Sequence, residues 1–477
     1  MSKMQQTSQI ASFALYTSYG MIPANAMDQL KRHLLDAVGS FIHATNRPAI
    51  QKLLKLMTLL QPGVALQQLS PDRLCQLYTA LIRYPDFMDN YLGKKSTCHP
   101  SDNIGPLFAA THLGSFSGKE FMTAMAIAYT IECRLIEEVP VMIKGFDHTL
   151  LLAYSTTAAV SRLLGLNEEE TANALAMAGC NTNPLVTCRA AYTYEWKGFA
   201  SSLVTQNCFQ LAMLAKQGMT GPIKLFETPE KGFNDIFGMK LDYDWSKEKF
   251  DLISKCILKS YNAEVHTQSS IEAVIELRKA YNIAASDVES IDVTTFLTAY
   301  HIVGGGEYGD RKTVRSKEQA DHSLPYVVAV ALIDGDVYPA QLLPERVNQP
   351  DVQELLQKVN VHTSFPLHKP VKLAGLVDPY TAAYPDKVDA KVVITLKNRQ
   401  KYELEKQSYN GFHDQPLGWQ DCIYKFKKLT KGIVNEEEQT NITELIREME
   451  ITDPSSFCKL LQEIIAKENS ELFKTPV

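Results

Sequence analysis

Apolar residues recur every three or four positions through most of the first 260 residues. Ala24, Met27, Leu30, Leu34, Val38 and Phe41 follow Pro23 in that rhythm, and Phe121, Ala124, Ile127 and Ile131 repeat it. A 3.6-residue period places such side chains on one helix face, so the pattern predicts amphipathic helices. Asn167 followed by Glu168, Glu169 and Glu170 reads as a helix start, a capping amide with acids at the positive end of the dipole. A further helix is expected from Gly198 to Gln217, stopping at Gly218. No clear strand is expected in this half.

The rhythm changes after about residue 285. Ile291 and Val293 alternate with Asp292 and Thr294. Val388, Ala390, Val392, Ile394 and Leu396 alternate with Asp389, Lys391, Val393, Thr395 and Lys397. Period two predicts half-buried strands, and Asn398–Gln400 can turn the second back into Tyr402 and Leu404 as a hairpin. One helix interrupts this region, with Asp321 or Ser323 as cap, Pro325 in its first turn and Val327–Ile333 as its apolar body. Helical patterning returns at Glu436–Met449 and again after Asp453-Pro454. The predicted fold is mainly α: a helical domain over 1–267, an inserted smaller α+β domain over 268–398, and a C-terminal helical segment over 399–477 that returns to the first domain.

Composition narrows the function classes. The 477 residues are 45% hydrophobic and 21% charged, as in folded proteins, so general disorder is excluded. Forty-eight basic against 54 acidic residues give −6 with no long basic run, which argues against nucleic acid as partner. A small anionic substrate stays open, because a pocket's field is set locally. No apolar run reaches the roughly 18–20 residues that cross a bilayer, so no membrane partner is expected. The first residues, MSKMQQTSQ, lack an apolar leader core, and a cytoplasmic location is the expectation. Nine cysteines, scattered and never in a C-x-x-C pair, suggest reduced thiols rather than a disulfide framework. A ligand cluster of Cys98, Cys180 and Cys188 lacks the regular spacing of such sites.

Four polar clusters interrupt the apolar pattern. The first is Asp86-Phe87-Met88-Asp89-Asn90 with Cys98-His99-Pro100-Ser101-Asp102-Asn103. A lone histidine such as His99 is more often structural, and Asp102 or Asn103 reads first as a cap for a helix near Ile104. The second is Arg189 with Tyr194-Glu195-Trp196-Lys197-Gly198. Lys197 falls at a helix start, where a cation opposes the dipole, which suggests either a nearby anion or plain solvation. The third runs from Lys259 to Gln268 and contains Glu264 and His266 at the expected domain junction. The fourth is Asp321-His322-Ser323-Leu324-Pro325-Tyr326. Neighbours in sequence seldom face each other, so a cap plus one functional side chain is expected there rather than an Asp321–His322 dyad. The glycine-rich Gly304–Asp310 has Asp310 where a phosphate loop needs lysine, so a loop or flap is the reading.

Taken together, these segments resemble the MmgE/PrpD family. The resemblance rests on Leu34-Leu35-Asp36-Ala37-Val38-Gly39, His99-Pro100-Ser101-Asp102-Asn103, Gly145-Phe146-Asp147-His148 and Trp196-Lys197-Gly198-Phe199-Ala200. It continues through Gly218-Met219-Thr220-Gly221-Pro222, Ala263-Glu264-Val265-His266-Thr267-Gln268 and Ala320–Tyr326. The order and spacing of these short pieces make it specific. It implies a large helical domain with a smaller α+β lid, a homodimer, and lyase chemistry on small tricarboxylates without metal or other cofactor. Known branches are similar to 2-methylcitrate dehydratase of propionate catabolism and to cis-aconitate decarboxylase, and one epimerises an iminodicarboxylate.

Residue by residue, the resemblance implies Asp86, Asn90 and His99 as the aspartate, the substituted threonine and the active-site histidine. Lys197 and Lys259 look like the family lysines, and Tyr326 like the tyrosine of the lid helix. A second decarboxylase histidine falls on Glu264, while Ala263-Glu264-Val265-His266 matches the dehydratase branch. The dehydratase's Asp-Thr-Trp-Leu is Asp89-Asn90-Tyr91-Leu92 here, Lys94 and Lys95 are added, and Asn262 replaces a proline.

These residue types suit such a reaction. Lys197, Lys259 and Arg189 can each give a carboxylate charge-assisted hydrogen bonds of roughly 1.5–3 kcal/mol. Proton loss beside a carboxylate builds an enediolate-like dianion that a fixed lysine stabilises more than the ground state. His99 or His266 can move the proton, worth roughly 10²–10⁴-fold. Asp86 would orient His99 or hold a bridging water, Tyr326 would donate to a carboxylate or act as acid, and Asn90 and His322 would contact substrate. The expected function is a hydro-lyase on 2-methylcitrate or a related tricarboxylate. The alternatives are a cis-aconitate decarboxylase-type enzyme and a catalytically silent dimer that binds an acidic metabolite. All place basic side chains around one polyanion in a single cleft.

Overall fold

The computed structural model describes residues 5–189, 193–367, 369, 371–470 and 472. The first four residues of the stretch read for a leader lie outside them. Most described residues are helical, with one four-stranded sheet and one short hairpin. The chain forms two compact units. The first comprises Met1–Val186, Gly198–Leu258 and Leu417–Val477, the second Thr187–Lys197 and Lys259–Pro416.

The first unit is built from the helices that the apolar rhythm predicts. Ala24–Ala44 buries Leu30, Leu34, Val38 and Phe41 completely. Gly118–Glu138 does the same with Phe121, Ala124, Ile127 and Ile131. Removing one such leucine or phenylalanine from water contributes about 1.5–3 kcal/mol, so this face holds the helix in place. Asn167 caps Glu168–Asn181 by accepting the Glu170 amide at 2.9 Å. Ala200–Lys216 ends just before Gly218, whose φ is +89°.

The C-terminal helices Trp419–Thr430, Glu436–Arg447 and Pro454–Glu468 belong to this unit. Gly39 shows how closely they pack: a Cβ there would sit 3.2 Å from Phe426. Lys425 is buried beside it, 2.7 Å from Asp36 Oδ1 and 2.7 Å from the Phe87 carbonyl oxygen it donates to.

One element of the first unit departs from expectation. Tyr91–Leu92 (β1) and Thr97–Cys98 (β2) pair antiparallel, closed by the Gly93 amide on the Ser96 carbonyl at 2.9 Å. Two residues per strand are too few to show a period, which is why the alternation is invisible in sequence. The hairpin matters because it leads from Asp86–Asn90 into His99.

The second unit carries the sheet, in the order β4–β3–β5–β6. Val288–Thr295 (β3) runs parallel to Val359–Thr363 (β4), with Ile291 opposite Val359. Ala390–Leu396 (β5) lies antiparallel on its other side, with Val293 opposite Val392, and pairs in turn with Lys401–Lys406 (β6). β3, β5 and β6 follow the predicted alternation, with Arg399 taking φ +71° in the turn. β4 is short and only its ends are buried, so it sent no signal.

Helix Gln268–Tyr281 packs on β5 and β6, and Leu324–Asp334 packs between that helix and Pro350–Gln357. Ser323 caps Leu324–Asp334 by accepting the Tyr326 amide at 3.1 Å, and Pro325 sits in its first turn as the sequence predicts. This unit is wider than 268–398 at both ends. β6 is hydrogen-bonded into the sheet, and the Thr187–Lys197 segment is tied in by the Thr193 hydroxyl on the Glu318 carbonyl and by Lys197 on Asp321. Asp310 accepts the amides of Lys312 and Thr313, an ordinary Asx-type turn that gives it local work.

All nine cysteines are free thiols. Cys98 is fully buried and Cys180 exposed. No helix among the described residues is long and apolar enough to cross a membrane.

Candidate functional site

Each unit gathers one cluster of chemistry-bearing side chains. In the first unit the cluster grows from the end of helix Pro71–Arg83. Asp86, three residues on, takes φ +57°, a left-handed turn that lets the chain reverse. The buried Arg83 guanidinium donates to Asp86 Oδ1 at 3.0 Å. The following residues reach Asn90, whose amide and carbonyl both bond Ile257, at 2.9 and 2.8 Å. Asn90 is 3% exposed, and its Oδ1 meets no donor among the described residues.

The hairpin then brings His99 back against this turn. His99 Nδ1 donates to the Asp89 carbonyl oxygen at 2.8 Å. A carbonyl can only accept, so Nδ1 carries the proton and Nε2 is the nitrogen that can give or take one. The His148 ring, from the Gly145–His148 motif, stands edge-on at 5.3 Å. Behind them Asp89 is 1% exposed. Burial alone would raise its carboxyl, but His33 Nδ1 at 2.8 Å, the Ser101 amide at 3.1 Å and the Tyr129 hydroxyl at 2.7 Å hold it below the ordinary range.

The expected cap at Asn103 is not made. Helix Ile104–Ala110 has no side-chain cap. Asn103 instead donates to Glu132 at 2.7 Å and accepts the hydroxyls of Ser155 at 2.9 Å and Thr156 at 2.7 Å. Buried amides take the partners that leave fewest polar groups unsatisfied, and here these lie in neighbouring helices. Burial and the nearby Asp102 push Glu132 well up, toward its neutral form.

In the second unit the centre is Asp321. Its Oδ1 lies 2.8 Å from Lys197 Nζ and 2.7 Å from His322 Nδ1, and Lys197 Nζ is 2.7 Å from the same ring nitrogen. Lys317 Nζ reaches Oδ2 at 2.8 Å. Two ammonium groups therefore share one carboxylate, leaving a surplus positive charge. Burial would raise Asp321, but Lys197, Lys317 and His322 hold it far below the ordinary range. The dyad that adjacency seemed to forbid is present: the short Lys317–Ala320 helix ends at Asp321 and lets both side chains turn the same way. The anion that meets Lys197 within its unit is thus Asp321, and Lys197 is 2% exposed, not solvated.

The Asp321 carbonyl accepts the Glu264 amide at 2.8 Å, which ties in the third sequence cluster. Glu264 Oε1 lies 2.8 Å from His266 Nδ1, and its Oε2 accepts the His266 amide at 2.8 Å. Burial raises Glu264, but His266 outweighs it and the carboxyl sits low. His266 Nε2 contacts the Tyr384 hydroxyl at 3.0 Å, and Phe296 and Tyr384 wall the ring at 5.4 and 5.5 Å.

Other predicted residues lie differently. The Tyr326 hydroxyl donates to the Gln341 carbonyl at 2.5 Å, and burial pushes its pKa up. Lys259 is 1% exposed and Arg189 half-buried. Sequence reasoning passed over His33, Tyr129, His148 and Lys317. His148 stood in a quoted motif, and His33 shares the buried stripe with Leu30 and Leu34, which was the available signal.

The MmgE/PrpD N-terminal domain is matched over residues 8–246 and the MmgE/PrpD C-terminal domain over 261–451. The chain belongs to the MmgE/PrpD family. Its relatives include 2-methylcitrate dehydratase of Escherichia coli, 28% identical over 359 residues, which is 70% of this chain and 73% of that protein. Probable 2-methylcitrate dehydratase of Saccharomyces cerevisiae is 28% identical over 387 residues, covering 73% and 72%. Alkylcitrate dehydratase phiI of a fungal species is 28% identical over 368 residues, covering 69% and 70%. The family match spans both clusters.

Proposed function

We propose that this MmgE/PrpD protein is a hydro-lyase that removes water from 2-methylcitrate or a related hydroxy-tricarboxylate, without a cofactor. The observation that carries the reading is the bond of the buried His99 Nδ1 to the Asp89 carbonyl, which makes Nε2 the nitrogen that can transfer a proton. The names of the relatives set its direction toward dehydration. The surplus positive charge at Lys197, Lys317 and Asp321 supports an anionic substrate.

In this reading His99 Nε2 transfers the proton, and Asp86, held by Arg83, steadies the turn that leads into it. Lys197 and Lys259 bind carboxylates and stabilise the dianion that forms when the proton beside a carboxylate is lost. The pair of electrons left by that proton forms the double bond as the neighbouring hydroxyl departs with a proton, as water. His266, held by Glu264 and Tyr384, is the second proton carrier. Asn90 offers a buried acceptor to a substrate hydroxyl, and Arg189, His322 and Tyr326 complete the set. The second unit acting as lid, a homodimer, a cytoplasmic location and a place in propionate catabolism belong to the same proposal.

A panel of tricarboxylates incubated with purified protein tests it. New ultraviolet absorbance from a conjugated double bond, lost in His99→Gln, is the expected result. Carbon dioxide release instead would assign the decarboxylase chemistry, and tight binding with no conversion would leave only a metabolite-binding protein.

A further inference from the structure

Proton transfer by His99 does not explain why a carboxylate is buried beside it. Asp89 receives three donors on two oxygens: His33 and Tyr129 on Oδ2, the Ser101 amide on Oδ1. Its own carbonyl receives His99 Nδ1. Residue 89 therefore grips the 99–101 segment twice, by main chain on the ring and by side chain on the backbone two residues further on. Pro100 lies between these two grips and has no amide to contribute. Arg83 on Asp86 and Lys425 on the Phe87 carbonyl steady the same turn.

We propose that Asp89, braced by His33 and Tyr129, is a positioning residue that fixes the tautomer and the aim of the His99 ring. A neutral imidazole can carry its proton on either nitrogen, and the hydrogen bond made by one nitrogen decides which is left to react. The carbonyl of Asp89 makes that choice only while the peptide points at the ring. The Asn90 amide on the Ile257 carbonyl at 2.9 Å holds one edge of that peptide, and the carboxylate holds the other, because rotating it away would strip the Ser101 amide and the two buried donors of their acceptor. Burial supports the assignment: at 1% and 2% exposure, neither Asp89 nor His33 can serve solvent chemistry. Burial would raise the Asp89 carboxyl, but His33, Ser101 and Tyr129 hold it low, while burial and Asp89 push the Tyr129 hydroxyl up, so the pair keeps one protonation state.

The kinetic consequence rests on His99 being the proton-transfer group; the tautomer itself does not, so the two can fail separately. Histidine-selective ¹⁵N labelling of the full chain reports the tautomer, with the His99 signals assigned by their loss in His99→Gln. In the unaltered protein His99 is expected as a single Nδ1–H form. Asp89→Asn and, independently, His33→Gln are expected to give a mixture of tautomers. They are also expected to lower kcat on the order of 10²-fold with KM little changed, as misaim of a catalytic group does. Tyr129→Phe should lie between. A folded Asp89→Asn or His33→Gln protein that keeps His99 in the single Nδ1–H form overturns the proposal, whatever its turnover. The predicted tautomer change in a protein that dehydrates nothing upholds the positioning role and sinks the hydro-lyase reading instead. If Asp89→Asn does not fold, His33→Gln decides alone.

Discussion

The helical unit holds His99 against a peptide carbonyl, whereas the sheet-bearing unit holds His266 and His322 against the carboxylates of Glu264 and Asp321. A peptide carbonyl is neutral and cannot be titrated away. It sets direction without adding charge. A carboxylate adds charge, and acid removes it. The first arrangement therefore suits a group whose job is to aim one nitrogen, and the second suits a charged frame whose sum can be matched to a polyanion. Each also has its own weakness: the first fails when the backbone shifts, the second when protons arrive.

The largest effect should come from removing the aimed ring. His99→Gln is expected to lower turnover by roughly 10²–10⁴-fold while leaving thermal unfolding nearly unchanged. Turnover that survives would transfer the proton-transfer role to the other unit. Next comes the charged frame. Lys197→Met breaks a buried pair and is expected to cost about 3–5 kcal/mol of stability in the second unit. Urea unfolding followed by a probe in that unit measures it, and an unmoved midpoint would mean that Lys317 and His322 suffice to hold Asp321.

Acid should then separate the frame from the carbonyl. Asp321 and Glu264 both sit below their ordinary values in the folded chain. Such carboxylates contribute stability that is complete above their unfolded values of about 4 and is lost as pH falls below them. The stability difference between the unaltered chain and Asp321→Asn should be flat from neutral pH down to about 4 and shrink below it. A difference that instead changes around neutrality would assign the frame to a titrating histidine.

The smallest effect concerns Asp389, just before β5, where burial raises the carboxyl to about 6. A raised carboxyl is a cost when ionised, so the penalty is full above that value and vanishes toward the unfolded value near about 4. Asp389→Asn is expected to raise the melting temperature by a few degrees at pH 7.5, with the gain disappearing on acidification. An equal gain at both pH values would show a packing effect instead.

The helices named from the pattern, such as Ala24–Ala44, Gly118–Glu138 and Glu168–Asn181, and β3, β5 and β6 were legible because each repeats a burial pattern over seven or more residues or carries its own cap and turn. Asn167 caps as read, Ser323 is the one of the two expected caps that bonds, and Asp453 caps the helix that Pro454 opens. β1 and β2 were not legible, being two residues each, nor was β4, buried only at its ends. The site divided in the same way. His99, Lys197, His266 and Asp321 drew attention as polar residues in apolar surroundings, yet which side chains would pair was not legible. Asn103 read as a cap because a cap is what an asparagine before a helix does when nothing else is near. Here Glu132, Ser155 and Thr156 were near.

Periodicity, caps and turn residues act over four or five positions, so a chain carries them in plain view, and so do the short motifs by which it joins its family. The choice of hydrogen-bond partner acts across the packed interior. Lys197 meets Asp321 across 124 positions, and His33 meets Asp89 across 56. Those pairings follow from how helices and sheet bury their faces against one another. Only the folded chain therefore decided that the proton on His99 sits at Nδ1 and that two lysines share one aspartate.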